Sequence, residues 1–134
     1  MKRHLPVVRL HLWLEDDRGM IFGIGKAQLL AGIERHGSLN KAAQEMGMSY
    51  RAAWGKIKQA EHALGLQLVE KSGNCRDGCH LTDAGRMYKE LFIRWFTAVE
   101  KAALSKAEEL FPWPLRGYQE PAVPGATGNT GLEA

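Results

Sequence analysis

The residues best suited to chemistry lie between Ser49 and Leu64. At about 100° per residue along a helix, Arg51, Gly55, Lys58 and His62 share one side, while Ala53, Ile57, Ala60 and Leu64 share the other. Arg51 can donate two parallel hydrogen bonds to O6 and N7 of a guanine, which makes it the first candidate for reading base sequence. Gly55 removes the side chain that would hold such a helix away from a nucleic-acid surface. Ser49, Tyr50 and Lys58 are placed for phosphates or groove edges. Trp54 falls on the boundary between the two sides, positioned either to pack beneath a neighbouring element or to lie against sugar and phosphate. Further donors precede this helix: Ser38, with Asn40 behind it, can bring hydroxyl, amide and backbone N–H groups to a phosphate.

The flanking pattern supplies elements to position these groups. Val8, Leu10, Leu12 and Leu14 alternate with Arg9, His11 and Trp13, which predicts a strand over 8–14. Glu15 to Gly19 reads as a polar turn, and Met20–Phe22 as the returning strand, ended by Gly23 and Gly25. A first helix is expected from Lys26 to about His36, closed by Gly37 in a left-handed cap. Ser38 caps a short second helix, Leu39–Met46, striped by Leu39, Ala42, Ala43 and Met46. Gly47-Met48-Ser49 is a tight connector into the third helix, Tyr50 to about Leu64.

Two helices joined by such a turn, the first small-sided and the second polar outside, form a helix-turn-helix pattern. Its second helix is shaped for a major groove about 12 Å wide. Gln67–Lys71 and Cys79-His80-Leu81 then read as two strands around a loop from Ser72 to Gly78. They make a wing, with Lys71 at its base and Arg76 in its loop as candidate DNA contacts. Thr82 caps a long last helix reaching about Leu110. Its apolar arc is about 160° wide, more than one packing contact uses, so Tyr88, Leu91, Phe92, Trp95, Phe96 and Val99 are candidates for pairing with a second copy. The fold class is mainly α with small β: a winged helix-turn-helix over 1–111 with an N-terminal hairpin and a long dimerisation helix. Residues 112–134 hold four prolines and four glycines and are predicted to be a disordered tail.

Rival chemistries are weaker. The 134 residues carry 18 Lys and Arg against 15 Asp and Glu, a formal charge of +3, which permits an anionic partner without requiring one. Cys75, Cys79 and His80 offer two thiols and an imidazole for a zinc or redox site in the wing. The C-x3-C spacing is not one structural zinc sites favour, a fourth ligand is missing, and consecutive strand residues point to opposite faces, so no metal is expected. Gly23-Ile24-Gly25-Lys26 has two glycines of a phosphate loop, but Gln28 stands where a third is needed. No nucleophilic or paired-carboxylate arrangement is defensible, so neither an enzyme nor a cofactor is expected. Two alternatives remain: a metal- or redox-sensing regulator using Cys75, Cys79 and His80 in the wing, and a pure protein-docking module using the third helix against an acidic partner. With no apolar run long enough to span a bilayer and no signal peptide, the expected location is cytoplasmic.

The strings Gly37-Ser38-Leu39-Asn40-Lys41-Ala42-Ala43, Gly47-Met48-Ser49-Tyr50-Arg51-Ala52-Ala53-Trp54, Leu68-Val69-Glu70 and Leu81-Thr82-Asp83-Ala84-Gly85 resemble the N-terminal DNA-binding domain of the ModE family. These are molybdate-responsive transcriptional regulators with a LysR-like winged helix. The likeness extends over roughly 7–105. It implies a homodimer that pairs through its last helix and presents two recognition helices to a roughly palindromic operator. The family's C-terminal oxyanion-binding domains have no counterpart before the sequence stops, so molybdate binding by this chain is not expected. The family's glycine-rich wing is replaced here by Asn74-Cys75-Arg76-Asp77-Gly78-Cys79-His80.

Overall fold

The computed structural model describes residues 5–71 and 78–118. In chain order it contains β1 (Val7–Val8), β2 (Trp13–Asp16), β3 (Gly19–Gly23), α1 (Ile24–His36), α2 (Leu39–Glu45), α3 (Tyr50–Leu64), β4 (Val69–Lys71), β5 (Cys79–Leu81), α4 (Asp83–Leu110) and β6 (Arg116–Gly117). Helices dominate, and the strands form three separate two-stranded sheets: β1 with β6, β2 with β3, and β4 with β5. Phe22, Leu29, Leu30, Ile33, Leu39, Ile57 and Leu68 are fully buried and draw β3, the first three helices and the approach to β4 around one core.

The expected caps are present. Ser38 Oγ accepts from Lys41 N at 3.1 Å, Ser49 Oγ from Ala52 N at 3.0 Å, and Thr82 Oγ1 from Gly85 N at 2.9 Å. Gly37 and Gly47 take φ of 65° and 69°, so each turn reverses the chain where a side chain would be strained. α3 and α4 have the predicted extents, and α2 ends one residue early because Met46 serves as its C-cap.

Three local expectations need correction. The strand predicted over 8–14 is not continuous. Val7–Val8 pairs elsewhere, and the hairpin uses Trp13–Asp16 instead, with Asp16 opposite Gly19 and a bulge between Leu14 and Glu15. Asp16 tightens that turn by accepting from Arg18 N at 2.8 Å, so part of the expected loop is strand. α1 starts at Ile24, which puts Gly25 inside a helix rather than at a hairpin end.

Within the expected tail, 112–115 are neither helix nor strand, but a short strand follows. Arg116–Gly117 pairs parallel with Val7–Val8, Arg116 N donates to Pro6 O at 3.1 Å, and Tyr118 N donates to Val8 O at 3.2 Å. The Arg9 guanidinium lies 4.2 Å from the Tyr118 ring centre and adds a cation–π contact. The remainder of the expected tail, 119–134, and the wing tip, 72–77, lie outside the described residues.

Two glycines explain how closely the helices pack. A Cβ on Gly32 would come within 2.7 Å of Ala42 Cβ, so α1 and α2 touch through a bare backbone and a methyl group. A Cβ on Gly85 would overlap the Leu68 carbonyl, whose carbon would be 3.0 Å away. That carbonyl also accepts from Thr82 N at 3.0 Å, and Thr82 Oγ1 donates to Gln67 O at 2.6 Å. The start of α4 is thereby fastened to the chain entering the wing.

Candidate nucleic-acid interface

α3 divides as its sequence requires. Ala53, Ile57 and Ala60 are buried, whereas Arg51, Gly55, Lys58 and His62 are exposed. Among the described residues, nothing outside the helix's own backbone lies within 4 Å of where a Gly55 Cβ would be. Arg51 has no ion-pair partner among the described residues. Together with Ser49, Tyr50 and Trp54 it lines an open depression at the start of the helix. A capped helix end, a bare arginine and an uncluttered next turn are what entry into a groove needs.

Lys58 is less bare than its position predicts. Its Nζ lies 3.3 Å from Glu61 Oε1 and 4.8 Å from the centre of the Trp54 ring. Lys71, at the end of β4, reaches the same ring with its Nζ 5.4 Å from the centre. Trp54 is half-buried against the core, with the wing-base Lys71 over its ring, and it also borders the open depression beside Arg51. Glu61 completes the joint: Oε2 accepts from Leu68 N at 2.8 Å and Val69 N at 3.2 Å. The acid at the far end of α3 thus supplies acceptors for backbone donors where the wing begins. Sequence reasoning missed Glu61, because nothing in its helical position reveals that the chain folds back to it after Gly65.

A second missed residue is Lys26. It is only 5% exposed, and its ammonium donates to Ile21 O and Gln59 Oε1, each at 3.2 Å, joining β3, α1 and α3. Burial, with the nearby Lys56 charge, lowers its pKa from the ordinary lysine value. Glu45 holds the turn between α1 and α2. It pairs with Arg35, and its Oε2 lies 2.9 Å from His36 Nε2. Burial alone would raise this carboxyl, but the His36 and Arg35 hydrogen bonds outweigh it and keep the pKa below the ordinary carboxylate value.

Other expected contacts are redistributed. Ser38 is 3% exposed and its hydroxyl caps α2. Asn40 is half-buried on the first turn of α2. Arg76 and Cys75 lie outside the described residues. Cys79 is buried while His80 is exposed, 3.8 Å from Glu70 Oε1, so the two neighbours face opposite sides of β5. Among the described residues no three His, Cys, Asp or Glu side chains gather as a metal site.

On α4, Phe92 belongs to the chain's own core, and Tyr88 is half-buried against it. Phe92 is 3% exposed, and the Phe22 ring centre lies 5.4 Å from Phe92 and 6.0 Å from Tyr88. Phe96 and Val99 are half-buried. The exposed apolar stripe is instead Met87, Leu91 and Trp95, continued by Ala98 and Ala102; Leu91 is 52% and Trp95 39% exposed. No described helix is long and apolar enough to cross a membrane.

Comparison with known proteins agrees with this geometry. The family described as bacterial regulatory helix-turn-helix protein, lysR family, matches residues 24–86, the span from the start of α1 into α4. Residues 24–86 are thus similar in sequence to LysR-type helix-turn-helix domains. The chain is 35% identical over 112 residues to the molybdenum transport protein ModE of Azotobacter vinelandii, covering 79% of this chain and 41% of that protein. It is 36% identical over 87 residues to the molybdenum-pterin-binding protein MopB of Rhodobacter capsulatus, covering 63% and 31% respectively. The chain therefore spans less than half the length of these relatives.

Among solved structures, the LysR-type fold here superposes on the CbnR DNA-binding domain in its DNA complex with a TM-score of 0.58 at 19% identity. That match covers 67% of this chain and all of that one. The BenM DNA-binding domain in complex with benA site 1 DNA gives 0.54 at 19% identity, with the same coverage.

Proposed function

We propose that this chain is a DNA-binding transcriptional regulator that inserts α3 into the major groove of duplex DNA. The observation that carries the reading is the outer face of α3, where Arg51 stands exposed beside the open turn at Gly55. The two superposed domains, from CbnR and BenM, were solved with DNA, and the ModE-like relatives are named for molybdenum, which makes molybdenum-related genes the first targets to examine.

In this reading Arg51 contacts base edges. Ser49, Tyr50, Lys58, Lys71 and the backbone at the start of α2 near Asn40 contact the sugar-phosphate chain, and Arg76 reaches out from the wing. The working unit is a homodimer joined along Met87, Leu91 and Trp95, because a roughly palindromic operator needs two recognition helices about one DNA turn apart.

Selection of bound duplexes from a random pool, followed by titration at several salt concentrations, tests this. The expected outcome is a two-fold-related site and a log-log salt slope of about −0.9 per neutralised phosphate. Duplex binding that is absent, or indifferent to salt, overturns the reading.

A further inference from the structure

Trp54 holds two lysines from different elements. Lys58 comes from its own helix, one turn on, and Lys71 from the end of the first wing strand, and their ammonium groups lie 4.8 Å and 5.4 Å from the same ring centre. Two like charges collected at one site repel unless something offsets them. Here the π face attracts both, and Glu61 pairs with Lys58 at 3.3 Å. Glu61 also accepts from Leu68 N and Val69 N, which fixes the strand carrying Lys71 against α3. The indole is itself half-buried against the core, which restricts its movement relative to the lysines. Neither lysine is buried, so both remain open to a ligand.

We infer that Trp54, Lys58 and Lys71 form a preorganised site for consecutive phosphates of one nucleic-acid strand, with Trp54 as the positioning residue that couples the recognition helix to the wing. The inference rests on the DNA-binding reading and adds to it a claim about coupling. Lysine side chains lose much rotamer freedom when they are fixed on a ligand. A ring that gathers both before DNA arrives removes part of that cost, so each lysine's contribution depends on the ring being present. Phosphates bind here by position and charge without reading sequence, which leaves base discrimination to Arg51.

A double-mutant cycle on the full chain tests this, with affinity for a selected duplex measured by fluorescence anisotropy across a salt series. Lys58→Met and Lys71→Met are each expected to weaken binding about tenfold in the parent protein and to make the log-log salt slope shallower by about 0.9. In a Trp54→Leu background, each lysine replacement is expected to cost less than about twofold. Trp54→Phe keeps a smaller aromatic face in the core and is expected to give intermediate lysine effects, about threefold, which keeps the test open if the leucine variant does not fold.

Full tenfold lysine effects in either Trp54 background, with melting temperature as the check on folding, would overturn the coupling and leave the DNA-binding reading in place. Absence of any salt-dependent duplex binding by the parent protein would overturn both.

Discussion

Gly55 and Gly85 are the same residue in two helices of one chain, and they are glycine for opposite reasons. At Gly85 the chain's own backbone demands it, because a methyl group would strike the Leu68 carbonyl and push α4 away from the wing. At Gly55 nothing among the described residues demands it: a Cβ there would meet no neighbour within 4 Å outside the helix's own backbone, and a mid-helix glycine costs about 0.5–1 kcal/mol relative to alanine. A residue that destabilises its own helix while leaving an exposed cationic face bare makes sense when the object it accommodates is another molecule. Internal packing explains the first glycine and external approach the second.

The largest effect expected from this contrast is at Gly85. Gly85→Ala should destabilise the fold by about 3 kcal/mol or more, read by chemical denaturation, because the overlap is with backbone that cannot rotate aside. A variant as stable as the parent would break the internal half of the comparison. Arg51→Ala should leave stability unchanged and weaken binding to the selected duplex by about 1–3 kcal/mol, with relaxed preference at one base pair. An equal loss on every sequence would move Arg51 from base reading to backbone contact.

Gly55 itself gives a two-signed result. Gly55→Ala should raise stability by about 0.5–1 kcal/mol, whereas Gly55→Leu should fold normally and bind DNA about tenfold more weakly. Unimpaired binding by the leucine variant would remove the external half. The smallest effect is expected at the joint of α1 and α2. Because the Glu45 pKa is lowered in the folded state, its pairing with His36 and Arg35 contributes stability that is present above the unfolded value of 4.5 and lost as the pH falls through the folded value. Stability of Glu45→Gln should therefore fall less steeply with acid than that of the parent, in melts carried from about pH 5.5 down to about pH 2.5.

How much of this was legible beforehand follows from the range of each interaction. Ser38, Ser49 and Thr82 act on N–H groups three residues ahead, so their caps can be read from sequence, and so can the two faces of α3; on α4 the wide apolar arc was readable, but not that Phe92 turns into the core. Lys26 and Glu61 could not be placed that way. Each looks like solvated surface until a segment distant in sequence supplies its partner: Gln59 for the lysine, Leu68 and Val69 for the glutamate. The pairing of Val7–Val8 with Arg116–Gly117 joins dipeptides too short for any periodicity and far apart in the chain. At the candidate interface, Arg51 and Gly55 were visible from helical spacing alone. That Lys58 and Lys71 share the Trp54 ring depends on how the wing folds back.

The meeting of β1 and β6 has a practical consequence. Gly117 would bring a Cβ within 3.4 Å of Leu104 Cδ2, and Leu104 lies about 28 Å along α4 from Gly85 at 1.5 Å of rise per residue. Residues near both ends of the described chain therefore emerge side by side, distant from the wing joint. A short peptide bridge there would permit circular permutation, with new ends opened at Asp17–Arg18 in the hairpin turn.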